Sequence, residues 1–268
     1  MRSMHGMDEH ARAPICDWLL VPGWGFGPSV FDELRALLPP EIVATAVACR
    51  AAVAAIDQRA AAVRAGEGPP FGICAWSLGA ILAVDRALAH PGAVAALVLV
   101  GATPRFVAGD GWIPAMPAAE FDAFAAVAAA SVPAAQSRLA SLCAMGSADA
   151  PALVRRLRRS FDRALPGEAA VVFSDAMMQG LDCLRRADLR GRLCALDVPV
   201  ALVHGERDAL VPAAAAHALA AALPRARGLA VAADGHALPV LQAGRLAATI
   251  GQMVGASRHA LPETASRT

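Results

Sequence analysis

Ser77, Asp208 and His236 are of the types, and in the chain order, that nucleophilic acyl transfer can use. A serine hydroxyl is a weak nucleophile until an imidazole takes its proton, and the imidazole in turn needs a carboxylate to orient it. Ser77 stands in "FGICAWSLGAILAVDRALAHP", where a buried apolar run breaks at one hydroxyl and restarts at once as a helical pattern. The order A-W-S-L-G nearly matches G-x-S-x-G, the sharp strand-to-helix turn that lifts a serine clear of a sheet. Such a turn demands small residues two before and two after the serine; Gly79 meets this, and Ala75 is the next smallest choice. Downstream, "PVALVHGERDALVP" puts Asp208 in the loop after a predicted strand, and "VAADGHALP" puts His236 in the loop after the next. Asp197 and Asp234 lie nearby, and Asp208 is preferred for its post-strand position. Two backbone N–H groups should hold the oxyanion: that of Leu78, after the serine, and that of Trp24 in "LLVPGWGFG". His204, before a loop glycine at a strand end, reads as structural, and Met177 and Met178 as core or pocket lining.

These residues need a scaffold that brings strand ends together, and the chain alternates strand and helix signals in the way an α/β fold with a mostly parallel sheet requires. The strand candidates are 15–21, 42–47, 71–76, 94–101, 199–205 and 227–233, near-continuous apolar runs of the kind covered on both faces. Helical stretches are expected over 78–89, 213–222 and 240–254. Between 104 and 196 the alternation stops, and alanine-rich helical pattern with prolines and arginines takes over. The expected organisation is therefore a disordered N-terminus over 1–13, a core from 14–103 and 197–255, a helical cap inserted over 104–196, and a disordered tail over 256–268.

Composition narrows the function classes. With 268 residues, 57% of them hydrophobic, the chain can bury one large core. A formal net charge of +1 gives no global pull toward nucleic acid or anionic lipid. The six cysteines lack C-x-x-C spacing and read as buried thiols of a reducing compartment. Acidic residues near the start argue against a signal peptide, and the longest apolar run is too short for a bilayer, so a cytoplasmic monomer is expected. No metal-ligand cluster, phosphate loop or nicotinamide fingerprint is present in the pattern, so the expected chemistry uses no cofactor and no metal.

On these motifs the chain resembles the α/β-hydrolase superfamily over nearly all of 14–255. Within it, "VPGWGFGPSVFDEL", "ATPRF" with "GDGWIP", "LCAMG", "DLRGRLCALDVPVALVHGERDALVP" and "DGHALP" most resemble the pimeloyl-[acyl-carrier protein] methyl ester esterases of biotin synthesis. The resemblance implies a serine esterase that hydrolyses the methyl ester of pimeloyl-acyl-carrier protein to give pimeloyl-acyl-carrier protein and methanol, with an acyl-carrier protein as partner. Two departures are Pro22 where many relatives carry histidine, and "ACRAAVAAIDQRAAA", which lacks the family's D-x-P-G-x-G-x-S loop. In "PALVRRLRRSFDRALP", Leu153, Leu157, Phe161 and Leu165 recur at helical spacing with Arg155, Arg156, Arg158, Arg159 and Arg163 mostly opposite. That face, extended by Arg138, suits an acidic carrier protein; a merely solvated face is the plainer alternative. Other readings are a small-ester carboxylesterase, lactonase or thioesterase, a haloperoxidase-like or carbon–carbon bond hydrolase, and a non-catalytic binding protein on the same fold.

Overall fold

The computed structural model describes residues 15–258; the expected disorder over 1–13, and over the tail from 259 on, lies outside them. Six parallel strands form one sheet in the order β2-β1-β3-β4-β5-β6: β1 (Asp17–Val21), β2 (Val43–Ala46), β3 (Phe71–Trp76), β4 (Val94–Val100), β5 (Val200–Gly205) and β6 (Ala226–Ala232). The central strands are the expected apolar runs, and every residue of β3 and β5 is buried. The outer two differ from expectation. β2 alternates between exposed and half-buried, and most of β6 is accessible, with Val43 61% and Val231 40% exposed. Alanine-rich runs read as doubly covered, but these strands lie at the sheet edges, where a neighbour pairs on one side only.

The chain runs from β1 outward to β2 and then returns to β3 on the other side of β1. The connections on the two sides diverge there, which leaves a crevice beyond the carboxyl ends of β1 and β3. The core helices are α1 (Asp32–Leu37), α2 (Ala52–Arg64), α3 (Leu78–Ala89), α8 (Ala213–Ala222), α9 (Leu238–Leu241) and α10 (Ala243–Arg258). The helix expected over 240–254 is two helices. Gln242 leaves helical angles at φ −122° and ψ 29°, and its amide donates to Asp234 Oδ2 at 2.6 Å. α10 runs to Arg258, three residues past the expected edge of the core.

Between β4 and β5 stand the cap helices α4 (Ala118–Ala130), α5 (Val132–Ala144), α6 (Ala150–Arg159) and α7 (Ala170–Arg186). Ser131 Oγ accepts from Ala134 N at 3.3 Å and Asp149 Oδ1 from Ala152 N at 3.0 Å, so α5 and α6 each start on a side-chain cap. α6 buries Leu153 and Leu157 as its periodicity predicts, each worth about 1.5–3 kcal/mol. It stops at Arg159, however, short of Phe161 and Leu165. There the backbone turns to pair with the loop after β1: Gly27 N donates to Ser160 O at 2.8 Å and Asp162 N to Gly25 O at 2.9 Å. Phe161 stacks on Phe26 at 5.4 Å between ring centroids, and Leu165 is left exposed.

Two polar clusters tie the cap down. The first contains the very segments that suggested the esterase resemblance: Arg105 of "ATPRF" pairs with Asp110 of "GDGWIP" at 2.7 Å and with Asp188 of "ADLR" at 3.0 Å. Arg190 meets Asp188 at 2.6 Å, and Trp112 Nε1 donates to Arg105 O at 2.9 Å. The chain leaving β4 and the chain approaching β5 are thereby clasped together. The second cluster sits in the unusual segment after β2. Arg50 Nε pairs with Asp162 at 3.0 Å, its Nη1 with Glu168 at 3.1 Å, and its guanidinium lies over Phe173. All three charged side chains are largely shielded, so Arg50→Ala strands two carboxylates and should cost about 3 kcal/mol, measurable by urea unfolding.

Candidate active site

β3 ends at Trp76, and Ser77 follows with φ 58° and ψ −120°, a left-handed backbone that a serine rarely adopts. Ser77 N donates to Val100 O at 2.9 Å, which keeps the turn on the sheet edge, and Leu78 begins α3. The need for glycine two residues on is steric: a Cβ at Gly79 would lie 2.5 Å from Val21 O and 2.6 Å from Pro22 O. Ala75 causes no such conflict, because it is an ordinary strand residue paired with Val21 on one side and Leu99 on the other. The departure from G-x-S-x-G thus falls where the fold tolerates a methyl group.

The loop after β1 abuts the serine. A Cβ at Gly23 would come within 3.1 Å of Ser77 Cβ, so Trp24 follows immediately beside the hydroxyl. Neither Trp24 N–H nor Leu78 N–H has an acceptor among the described residues, and both remain available to an oxyanion. The Trp24 indole anchors that loop to the cap, donating to Met177 O at 2.7 Å. Gly180 makes the approach possible, since a Cβ there would meet the indole at 2.8 Å.

His236 and Asp208 come from the loops after β6 and β5 and meet out of solvent, with His236 Nδ1 2.5 Å from Asp208 Oδ2. The other carboxylate oxygen accepts from Leu210 N and Val211 N, each at 2.9 Å. Burial by itself would raise the Asp208 carboxyl; the facing His236 imidazole, together with the Val211 amide, overcomes this and holds it below the ordinary value. Asp208 is therefore an anion poised on Nδ1. Asp234 is committed to Gln242, and Asp197 pairs with Arg225 at 3.2 Å on the surface. Among the described residues no hydrogen bond joins Ser77 Oγ to His236, but both face one cavity.

Sequence reasoning did not assign Trp76 a role. It is 1% exposed, donates from Nε1 to His236 O at 3.0 Å, and stacks on the imidazole at 5.4 Å. Its signal was its place next to the serine. His204 is also 1% exposed and gives Nε2 to Val211 O at 2.9 Å. Burial holds it below the ordinary imidazole value against the opposing pull of Asp208 and the Val211 carbonyl, so it stays neutral. An unfolded chain takes up a proton near pH 6.5 that native His204 refuses, so stability should fall as pH drops below about 6.5. Thermal melts of His204→Gln across that range should show a shallower decline.

The cavity holds about 210 Å³. Besides Ser77 and His236 its wall is mostly apolar, with Phe106, Phe121, Phe124 and Leu181 contributed by the cap side. Glu120 and Arg138 are its charged members, and neither joins an ion pair among the described residues. Arg138 thus lies on the cavity wall, on α5. Arg155, Arg156 and Arg159 are exposed on α6, and Arg156 is engaged by Glu33. The buried thiols nearest the serine stay protonated: burial pushes Cys74 up to about 12 and raises Cys143, whose neighbour Asp208 adds to the effect.

The chain belongs to the alpha/beta hydrolase family, whose model matches residues 18–249, and it is a carboxylic-ester hydrolase. It is 37% identical over 193 residues to the pimeloyl-[acyl-carrier protein] methyl ester esterase of Stenotrophomonas maltophilia, covering 72% of each chain. With the protein of the same name from Xanthomonas campestris pv. campestris it shares 35% identity over 236 residues, 88% of this chain and 83% of the relative. In fold it matches an esterase from Exiguobacterium antarcticum with a TM-score of 0.72 at 18% identity, over 91% of this chain and 93% of that one. No described helix is long and apolar enough to cross a membrane.

Proposed function

We propose that this hydrolase cleaves the methyl ester of a pimeloyl chain carried on acyl-carrier protein, releasing methanol and the carrier-bound acid for biotin synthesis. The observation that carries the mechanism is the meeting of Ser77, His236 and Trp24 at one apolar cavity, with the Leu78 amide next along the chain from Ser77 and Asp208 behind the imidazole. His236 takes the Ser77 proton as the oxygen attacks the ester carbonyl, and Asp208 holds the tautomer and balances the imidazolium. The oxyanion is held by Trp24 N–H and Leu78 N–H. His236 then gives the proton to the departing methoxide, and water repeats the cycle on the acyl-enzyme to regenerate Ser77.

The substrate assignment is supported by the names of the relatives and by the character of the cavity. Apolar walls suit a methylene chain, while the unpaired Glu120 and Arg138 suit the polar arm that would emerge from the cavity. The exposed arginines of α6 are the proposed docking face for the acidic carrier, with Arg155 and Arg159 in no ion pair among the described residues and Arg156 shared with Glu33. The test is to offer methyl pimeloyl-acyl-carrier protein and follow its mass. Loss of one CH₂ unit with the thioester intact is the expected result; cleavage of short aryl esters alone would make this a general carboxylesterase. Reversing charge in Arg155→Glu/Arg159→Glu should raise KM for the carrier-bound ester about tenfold or more and leave small-ester kinetics unchanged. Equal loss on both substrates would remove the docking role.

A further inference from the structure

We propose that His204 is a positioning residue for the hydrolysis, closing the turn that carries Asp208 onto the end of β5 and so fixing the carboxylate against His236. This rests on the Ser77, Asp208 and His236 reading. The residues of β5 before it, Val200, Ala201, Leu202 and Val203, are apolar and buried, and His204 is the exception. A carbonyl can only accept, so the bond between His204 Nε2 and Val211 O requires the proton on Nε2. That leaves Nδ1 bare, and Nδ1 is buried without a partner. A leucine would spare the orphaned Nδ1 but leave Val211 O without its donor, so what the fold gains from histidine is the Nε2–H.

The bond does something specific. Val211 is held through both of its backbone polar groups: its N–H donates to Asp208 Oδ1 at 2.9 Å and its carbonyl accepts from His204 Nε2 at 2.9 Å. The carboxylate is therefore held by a turn that is itself pinned to a central strand. His204 Nε2 lies 3.8 Å from Asp208 Oδ2, beyond hydrogen-bond reach, and so Oδ2 is left wholly to His236 at 2.5 Å. A ring that stays neutral adds no second positive charge to compete for that oxygen.

The experiment compares His204→Leu, His204→Asn and His204→Gln in the full chain, with Ser77→Ala in parallel, on a small methyl ester. Leucine has no donor and asparagine stops a bond short of Val211, whereas the glutamine amide can reach it. Leucine or asparagine should lower kcat about 10- to 100-fold with KM nearly unchanged, since the carboxylate is misplaced and the acyl cavity is not. Glutamine should restore most of kcat. If leucine fails to fold, the asparagine and glutamine pair decides the question. Full activity in the asparagine variant, or a glutamine variant as impaired as asparagine, overturns the proposal while Ser77→Ala remains inactive. Activity surviving in Ser77→Ala overturns the hydrolase reading itself, and the role of His204 with it.

Discussion

Ser77→Ala is expected to reduce ester turnover about a million-fold, because in the proposed mechanism nucleophile and base act as one unit and the loss of either removes the covalent route. The variant should fold normally: the hydroxyl makes no hydrogen bond among the described residues, and the turn is held by the backbone bond from Ser77 N to Val100 O. Residual rate above the uncatalysed reaction would come from the cavity and the two free amides. Steady-state kinetics with a chromogenic ester, and labelling of the parent but not the variant by a fluorophosphonate, provide the check. Activity within tenfold of the parent would exclude Ser77 as nucleophile.

Asp208→Asn should cost about ten-thousand-fold in kcat with little change in KM. The amide keeps the shape of the carboxylate but can present its N–H to His236 Nδ1, which favours the wrong tautomer, and it removes the charge that balances the imidazolium. Asp234→Asn is the matched control. Its carboxylate serves Gln242 near the start of α10, so its loss should leave kcat close to that of the parent. If the two variants exchanged these effects, the orienting carboxylate would be Asp234.

That Ser77, Asp208 and His236 would come together was legible because a parallel sheet turns chain order into place. Ser77, Asp208 and His236 each follow an apolar run, and all such runs deliver their next residue to the same sheet edge. The identity of Gly79 could be argued before any coordinates, since the strained turn has room for no side chain there. What could not be read were contacts made across long stretches of chain. Nothing around Arg50 announces that it will meet Asp162, 112 positions on. The periodicity of Leu153, Leu157, Phe161 and Leu165 is real, yet the helix ends at Arg159 because Ser160 and Asp162 offer their backbone to Gly27 and Gly25. Likewise the alanine-rich β2 and β6 carry apolar letters without burial, for composition does not say which strands come last in the sheet. The wording "ATPRF", "GDGW" and "ADLR" pointed to the right relatives, but its physical work is to clasp the cap.

That clasp changes how the chain can vary. With Arg105 and Asp188 holding the two necks together, everything between them is a closed loop whose ends are already in contact. Lengthening a flexible closed loop is cheap, about 0.6 kcal/mol for each doubling, so surface turns of the cap can gain or lose residues with almost no penalty to the sheet below. Mutational tolerance should nevertheless be low at 160–168, where Asp162 and Glu168 form a second anchor, and at Gly146, where a Cβ would lie 2.6 Å from Arg207 Cβ. The cavity wall contributed by the cap can drift under selection while the edge that holds Ser77 keeps its register.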